Sequence, residues 1–259
     1  LIQQITITGM FIQLLISVLI PIALIIFVKK KNSFRWKSFF VGAAVFIIFV
    51  QILEKIPHLI MIDSTGTSLK WTANPYLFAL YGGLAAGIFE ELGRYLGYRW
   101  LLRKHELQRK DGLSYGLGHG GIEAVLIGGG LAISSMVMAF AINAGTFEQL
   151  VGHKAPAEQV AQFKEQLMNR DFWYYVLGGV ERSFALFIQI GLSLLVLLGV
   201  IHNQFKYVVL SIAVHALINF FAALFQAGVI HNVWLVEAIF FIAAVIAIGF
   251  IKKSKKLLH

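Results

Sequence analysis

Apolar runs longer than the roughly 18 residues that mark a membrane-spanning helix recur along this chain, and nothing constrains its fold more. They give seven spans, at about 5–28, 38–58, 76–99, 112–142, 172–201, 207–228 and 233–251. Of the 259 residues, 58% are hydrophobic and 14% are charged. A soluble domain carries about 25% charged residues. The expectation is an all-α, polytopic transmembrane helix bundle forming one integral membrane domain over 1–259. The fourth and fifth spans exceed the ~20 residues that a bilayer needs, which implies tilt, breaks or projection beyond it.

The net charge of +9 could point to nucleic acid. Its distribution points elsewhere, because the basic residues sit beside spans and so report topology. With the N-terminus outside, the inner segments hold 15 lysines and arginines and the outer ones 4, which predicts N-terminus out and C-terminus in. The absence of cysteine excludes disulfides, thiolate metal sites and a cysteine nucleophile. The chain opens on Leu1, which suggests that residues precede it, and its first apolar run reads as an uncleaved span. The largest outer loop, 143–171, contains GHKAPAEQVAQFKEQLMNRD, where Val160, Phe163 and Leu167 share one helical face. A short amphipathic helix is expected there, lying on the membrane surface or packed on the protein.

An ionisable residue inside a membrane costs several kcal/mol unless paired or hydrated, so such residues mark candidate sites. Depth can be counted from the inner flank at about 1.5 Å per helical residue. Glu90 then lies roughly 13 Å deep, His119 about 12 Å and His215 about 13 Å. One layer on the cytosolic side of the midplane thus receives a residue from each of three spans. Each has a polar companion one turn on: Arg94 after Glu90, Glu123 after His119, Asn219 after His215. Glu181 and Arg182 on the fifth span also fall near mid-membrane. Arg94 or Arg182 is expected to neutralise surplus carboxylate charge.

Taken singly, a buried histidine is usually a satisfied core residue, and adjacent glutamates with an arginine can form a purely structural ion-pair node. The agreement in depth favours a wet functional cavity. Its residue types suit water chemistry: a carboxylate in a low-dielectric site serves as general base, a neutral histidine shares the proton traffic, and a histidine with an asparagine amide can stabilise an oxyanion. Ser114, Ser134, Ser135 and Ser183 fall in no nucleophile motif.

The ordered motifs EELGR (Glu90–Arg94), YGLGH (Tyr115–His119) and HALIN (His215–Asn219) resemble those of the glutamate intramembrane proteases related to CAAX prenyl proteases and bacteriocin-processing enzymes. That clan carries EExxxR, FxxxH and an HxxxN-type motif on separate spans. Within it, EELGR and the glycine-rich GLGHGGIEA are most similar to the YhfC branch of small bacterial membrane proteins. The resemblance covers roughly 75–225. Arg94 lies three residues after Glu91 where the family has four, about 100° from the expected face, and Tyr115 replaces phenylalanine.

The resemblance implies a bacterial plasma-membrane protease without a cofactor. Glu90 and His119 would activate water, His215 and Asn219 would form the oxyanion hole, and Glu91 and Arg94 would position groups or balance charge. Glu123, Glu181 and Arg182 would support them through charge and hydrogen bonds. The partners would be the lipid bilayer and a membrane-embedded or membrane-anchored peptide substrate, with no nucleic acid, and the site would open toward the cytosolic half.

Three alternatives remain. His119, His215 and a glutamate could hold zinc with an open fourth position, although HExxH is absent. A proton-coupled transporter would also place Glu, Arg and His in the membrane, but no repeated halves are visible. An inactive relative could bind membrane peptides without cutting them.

Overall fold

The computed structural model describes residues 1–103, 106–152 and 157–258. Regular structure among them is helical. It runs α1 (Gln4–Lys30), α2 (Trp36–Val45), α3 (Lys55–Met61), α4 (Pro75–Leu96), α5 (Arg109–Glu123), α6 (Gly130–Ala144), α7 (Phe147–Val151), α8 (Ala157–Asn169), α9 (Phe172–Ile201), α10 (Lys206–Gln226) and α11 (Val233–Leu257). Wider π-helical turns at Phe46–Leu53, Gly97–Leu101 and Ala124–Gly129 extend α2, α4 and α5. Such turns are frequent near functional positions.

Six helices are long and apolar enough to cross a membrane: Gln4–Lys30, Trp36–Met61, Arg109–Ala144, Phe172–Ile201, Lys206–Gln226 and Val233–Leu257. They match six of the seven expected spans. The remaining one, α4, has the length at 22 residues, but it carries Glu90, Glu91 and Arg94, which lower its hydropathy. Asn74 starts α4 by accepting from the amides of Tyr76 (2.9 Å) and Leu77 (3.3 Å), with Pro75 preset for the first turn.

The chain divides into two compact units. One comprises Leu1–Pro21 and Glu123–Ser183. Its core joins Ile7 and Met10 of α1 to Ala139 and Ile142 of α6, Phe147 of α7, Val160 and Leu167 of α8, and Tyr175 of α9. The expected amphipathic helix of the 143–171 loop is α8. It turns Val160 and Leu167 inward, leaves Phe163 40% exposed against the Phe147 ring, and ties Lys164 to Glu148 at 2.6 Å. Residues 153–156 of that loop lie outside the described residues.

The other unit comprises Ile22–Ile122 and Phe184–His259 and contains all three motifs. Small residues set its helix spacings, as expected where lipid supplies no hydrophobic drive between helices. A Cβ on Gly83 would stand 2.4 Å from the Ala216 carbonyl oxygen of α10, and one on Gly87 2.7 Å from that of Ile212. On α5, a Cβ on Gly118 would overlap the Phe39 carbonyl oxygen of α2, and one on Gly116 would meet the Cα of Ile190 in α9 at 2.5 Å. Helix α5 is thereby pressed between α2 and α9. Its start is anchored by buried Asp111, which accepts from Arg35 Nη1 (2.9 Å), Ser38 Oγ (2.6 Å) and the Gln108 amide (2.9 Å).

The loop between α3 and α4 folds around Asp63. Hydrogen bonds from the hydroxyl of Thr65 above all, and from Ser68, hold the Asp63 carboxyl below its ordinary pKa.

The α4–α10 crossing yields a direct contrast. Gly83→Val is expected to destabilise the purified protein by about 1–3 kcal/mol or more through overpacking. Gly82→Ala, whose new Cβ would meet only the Ala223 methyl at 3.5 Å, is expected to hold stability or raise it by up to about 1 kcal/mol. Thermal unfolding in detergent checks both.

Candidate active site

Helix α4 brings Glu90, Glu91 and Arg94 into the interior of the motif-bearing unit, where all three are buried. Arg94 is fully buried, and its charge is answered on several sides. Its Nη1 donates to Glu91 Oε1 at 2.8 Å and Oε2 at 3.0 Å. Its Nη2 donates to Gln189 Oε1 at 2.5 Å and lies 3.8 Å from Glu90 Oε2. The three-residue spacing after Glu91 is therefore compatible with contact to both glutamates, because the long side chain reaches between them.

Glu91 is fully occupied. Its Oε1 also faces His215 Nδ1 at 2.7 Å, and its Oε2 accepts from Ser211 Oγ at 2.6 Å. Both partners come from α10, one turn apart, across the crossing that Gly83 and Gly87 make possible.

Glu90 is held differently. Its Oε2 accepts from Gln189 Nε2 at 3.0 Å and is hydrogen-bonded to His119 Nε2 at 2.8 Å. Its Oε1 faces His215 Nε2 at 3.8 Å, beyond hydrogen-bond reach. Among the described residues no hydrogen bond reaches that oxygen. The His119 ring is fully buried, stands edge-on to Phe46, and its Nδ1 has no hydrogen-bond partner among the described residues.

The structure thus brings Glu90, Glu91, Arg94, His119 and His215 together. Asn219, one turn beyond His215, is half-buried and lines a cavity of about 840 Å³ next to the cluster, together with Gly82 and Ala86 of α4. Glu123 follows His119 by one turn of α5. In its own unit Glu123 accepts from Arg182 Nη1 at 3.2 Å, and Arg182 also pairs with its neighbour Glu181. Arg182 thus serves these two carboxylates.

Gln189 and Ser211 were not foreseen from sequence. Neither belongs to a motif, and uncharged polar residues in apolar helices give little signal. The one available clue for Ser211 is its place one turn before His215, on the same helical face. Gln189 sits in the middle of α9, among apolar neighbours.

Whether these side chains suit a metal ion can be read from the donors. Two imidazoles and carboxylates are the ligand types of catalytic zinc. His119 has its Nε2 on Glu90 Oε2 at 2.8 Å, and its buried Nδ1 has no hydrogen-bond partner among the described residues. His215 has its Nδ1 on the Glu91 carboxylate and its Nε2 toward Glu90, the orientation in which a carboxylate backs a metal-ligating histidine. The donor set fits.

Fold and site together define an integral, polytopic helical membrane protein with a buried carboxylate–histidine centre built on three helices. The chain belongs to the YhfC intramembrane metalloprotease family, whose model matches residues 16–240. It is 41% identical over 241 residues to the uncharacterized membrane protein YhfC of Bacillus subtilis (strain 168), covering 93% of each chain. No solved structure matches.

The network gives a stability test. Arg94→Met should destabilise the protein by about 3–5 kcal/mol, because it strands buried carboxylate charge. Adding Glu91→Gln to Arg94→Met should recover part of that loss, read as a rise in the unfolding temperature of the double variant over the single one.

Proposed function

We propose that this protein hydrolyses a peptide bond of a membrane-embedded or membrane-anchored protein, with Glu90 at the reacting centre. The observation that carries this reading is the asymmetry between the two glutamates. Glu91 is saturated by Arg94, Ser211 and His215. Glu90 keeps one oxygen toward His215 and the other on His119.

In this reading Glu90 takes a proton from the attacking water, the general-base role that a buried carboxylate suits. His119, within hydrogen-bond reach of Glu90, passes that proton on toward the leaving amine. Asn219, lining the cavity, donates to the oxygen of the scissile carbonyl as it gains charge, with the His215 side chain beside it. Gln189 and Arg94 orient Glu90, and Glu91 holds the His215 ring.

A metal-dependent reading is favoured by the Glu91–His215 pairing and by the family's description. Glu90, His119 and His215 would hold the ion. A bound divalent ion would act as a Lewis acid and make its water more acidic. The protein's own contribution would be unchanged: fixed imidazoles and a buried carboxylate.

Comparing new protein N-termini in membranes of cells that express wild type or Glu90→Gln tests both readings. A product made by wild type and absent with Glu90→Gln is expected. Survival of that product in a chelator would favour the metal-free scheme, and its loss, restored by added zinc, the metal-dependent one. Cleavage at the wild-type rate by Glu90→Gln would remove Glu90 from the chemistry. Gln189→Leu should lower the rate by about 10- to 100-fold, as loss of an orienting partner does.

A further inference from the structure

The cavity beside the cluster has a direction. It is lined by His58 and Gly66 at the α3–α4 end of the unit, by Gly82 and Ala86 along α4, and by Asn219 and Ala222 along α10. Gly82, Ala86 and Glu90 are spaced four residues apart, so they follow one another down a single face of α4. From Gly82 to Glu90 is about 12 Å along the helix axis. A cavity of this size falls within the ~300–1,000 Å³ of ligand pockets.

The glycines along α4 divide into two kinds. Gly83 and Gly87 have no room for a Cβ because α10 backbone lies against them. At Gly82 a Cβ would meet only the Ala223 side chain, at an ordinary 3.5 Å. Helix packing therefore does not demand a glycine there, and its smallness adds to the open volume.

The walls are braced. His58 Nδ1 is hydrogen-bonded to Tyr81 Oη at 2.9 Å, and its Nε2 lies 3.2 Å from buried Glu54. This chain ties α3 to α4. Across the mouth, Gln226 Nε2 donates to the Gly66 carbonyl at 2.7 Å, tying the end of α10 to the α3–α4 loop.

We infer that this cavity is open to water at the α3–α4 loop and is the route by which an unwound peptide segment reaches Glu90. The inference rests on the protease reading for the identity of the occupant. The opening itself does not depend on it. With the N-terminus outside, this loop lies on the outer side, so access would come from the face opposite to the cytosolic opening that residue depth implied. An unwound segment suits the lining, because its backbone needs partners that lipid does not supply and that Asn219 and Gln226 carry.

The absence of cysteine makes the test clean. Ala86→Cys and Ala222→Cys are made singly in wild type and in Glu90→Gln, and a charged, membrane-impermeant thiol reagent is applied to either side of sealed vesicles. Thr67→Cys in the α3–α4 loop and Gln204→Cys in the α9–α10 turn report which side is which. Ile246→Cys, 67% exposed on apolar α11, reports reaction from lipid.

Both cavity positions are expected to react from the side that labels Thr67→Cys. The rate should be at least roughly tenfold above Ile246→Cys, since the reactive thiolate forms where water reaches it. Reaction only from the Gln204→Cys side, or at the Ile246→Cys rate, would overturn the opening. Full modification of Ala86→Cys by a bulky reagent should then stop the Glu90-dependent product, and its persistence would overturn the route. Were no Glu90-dependent product formed, the protease reading would fail, while the labelling pattern would still decide whether the cavity opens there.

Discussion

One buried guanidinium organises the motif-bearing unit. Arg94 has no exposure to solvent, and a charge so placed is tolerated only if its partners surround it. Those partners are Glu91 and Glu90 from its own helix and Gln189 from α9. Glu91 in turn needs Ser211 and His215 from α10. Satisfying one charge therefore requires three helices to approach closely. The glycines of α4 supply that closeness against α10, and those of α5 supply it against α2 and α9. The glycine-rich run around His119 is a packing device as much as a motif. Without it α5 could not bring the imidazole to Glu90.

The adjacent glutamates divide two jobs between them. A carboxylate accepting from an arginine, a serine and a histidine is low in energy and poorly reactive, which describes Glu91. Glu90 shares the same helix turn but turns to His119 and Gln189, and no hydrogen bond reaches its second oxygen among the described residues. Gln189 links the two environments, because its amide oxygen faces Arg94 and its amide nitrogen faces Glu90. The amide can face both Arg94 and Glu90 in only one orientation, which fixes the position of the Glu90 carboxylate.

Much of this could be read from the sequence for identifiable reasons. Spans follow from hydropathy, and a membrane interior makes every charge conspicuous, so Glu90, Glu91, Arg94, His119 and His215 stood out. Their meeting followed from equal depth, which needs only the helical rise. Three things were hidden. Gln189 and Ser211 are uncharged and lie outside any motif. The reach of Arg94 depends on side-chain length rather than helical angle, so its displaced position on the helical wheel was a poor guide. Which carboxylates Arg182 serves, Glu123 and Glu181, depends on tertiary placement, which depth alone does not supply. The sequence already placed the candidate centre on the span of α4, which is least qualified by hydropathy because it carries Glu90, Glu91 and Arg94.

The hydrogen bonds of His215 impose a condition on whatever chemistry occurs here. Glu91 is paired with Arg94 and accepts at Oε1, so the Nδ1 of His215 must carry a hydrogen. In the neutral ring the Nε2 then presents a lone pair toward Glu90 Oε1, 3.8 Å away. A lone pair and an ionised carboxylate oxygen facing each other in a dry interior repel, so positive charge belongs in the space between them. A proton there, on the imidazole or on the carboxylate, would give an acid–base pair one helical turn from Ala86 and Asn219, which line the cavity. A divalent ion, which Glu90, His119 and His215 would hold, would supply Lewis-acid chemistry instead. In both proposed readings the space between His215 Nε2 and Glu90 Oε1 would be met by positive charge, a proton in one and a divalent ion in the other.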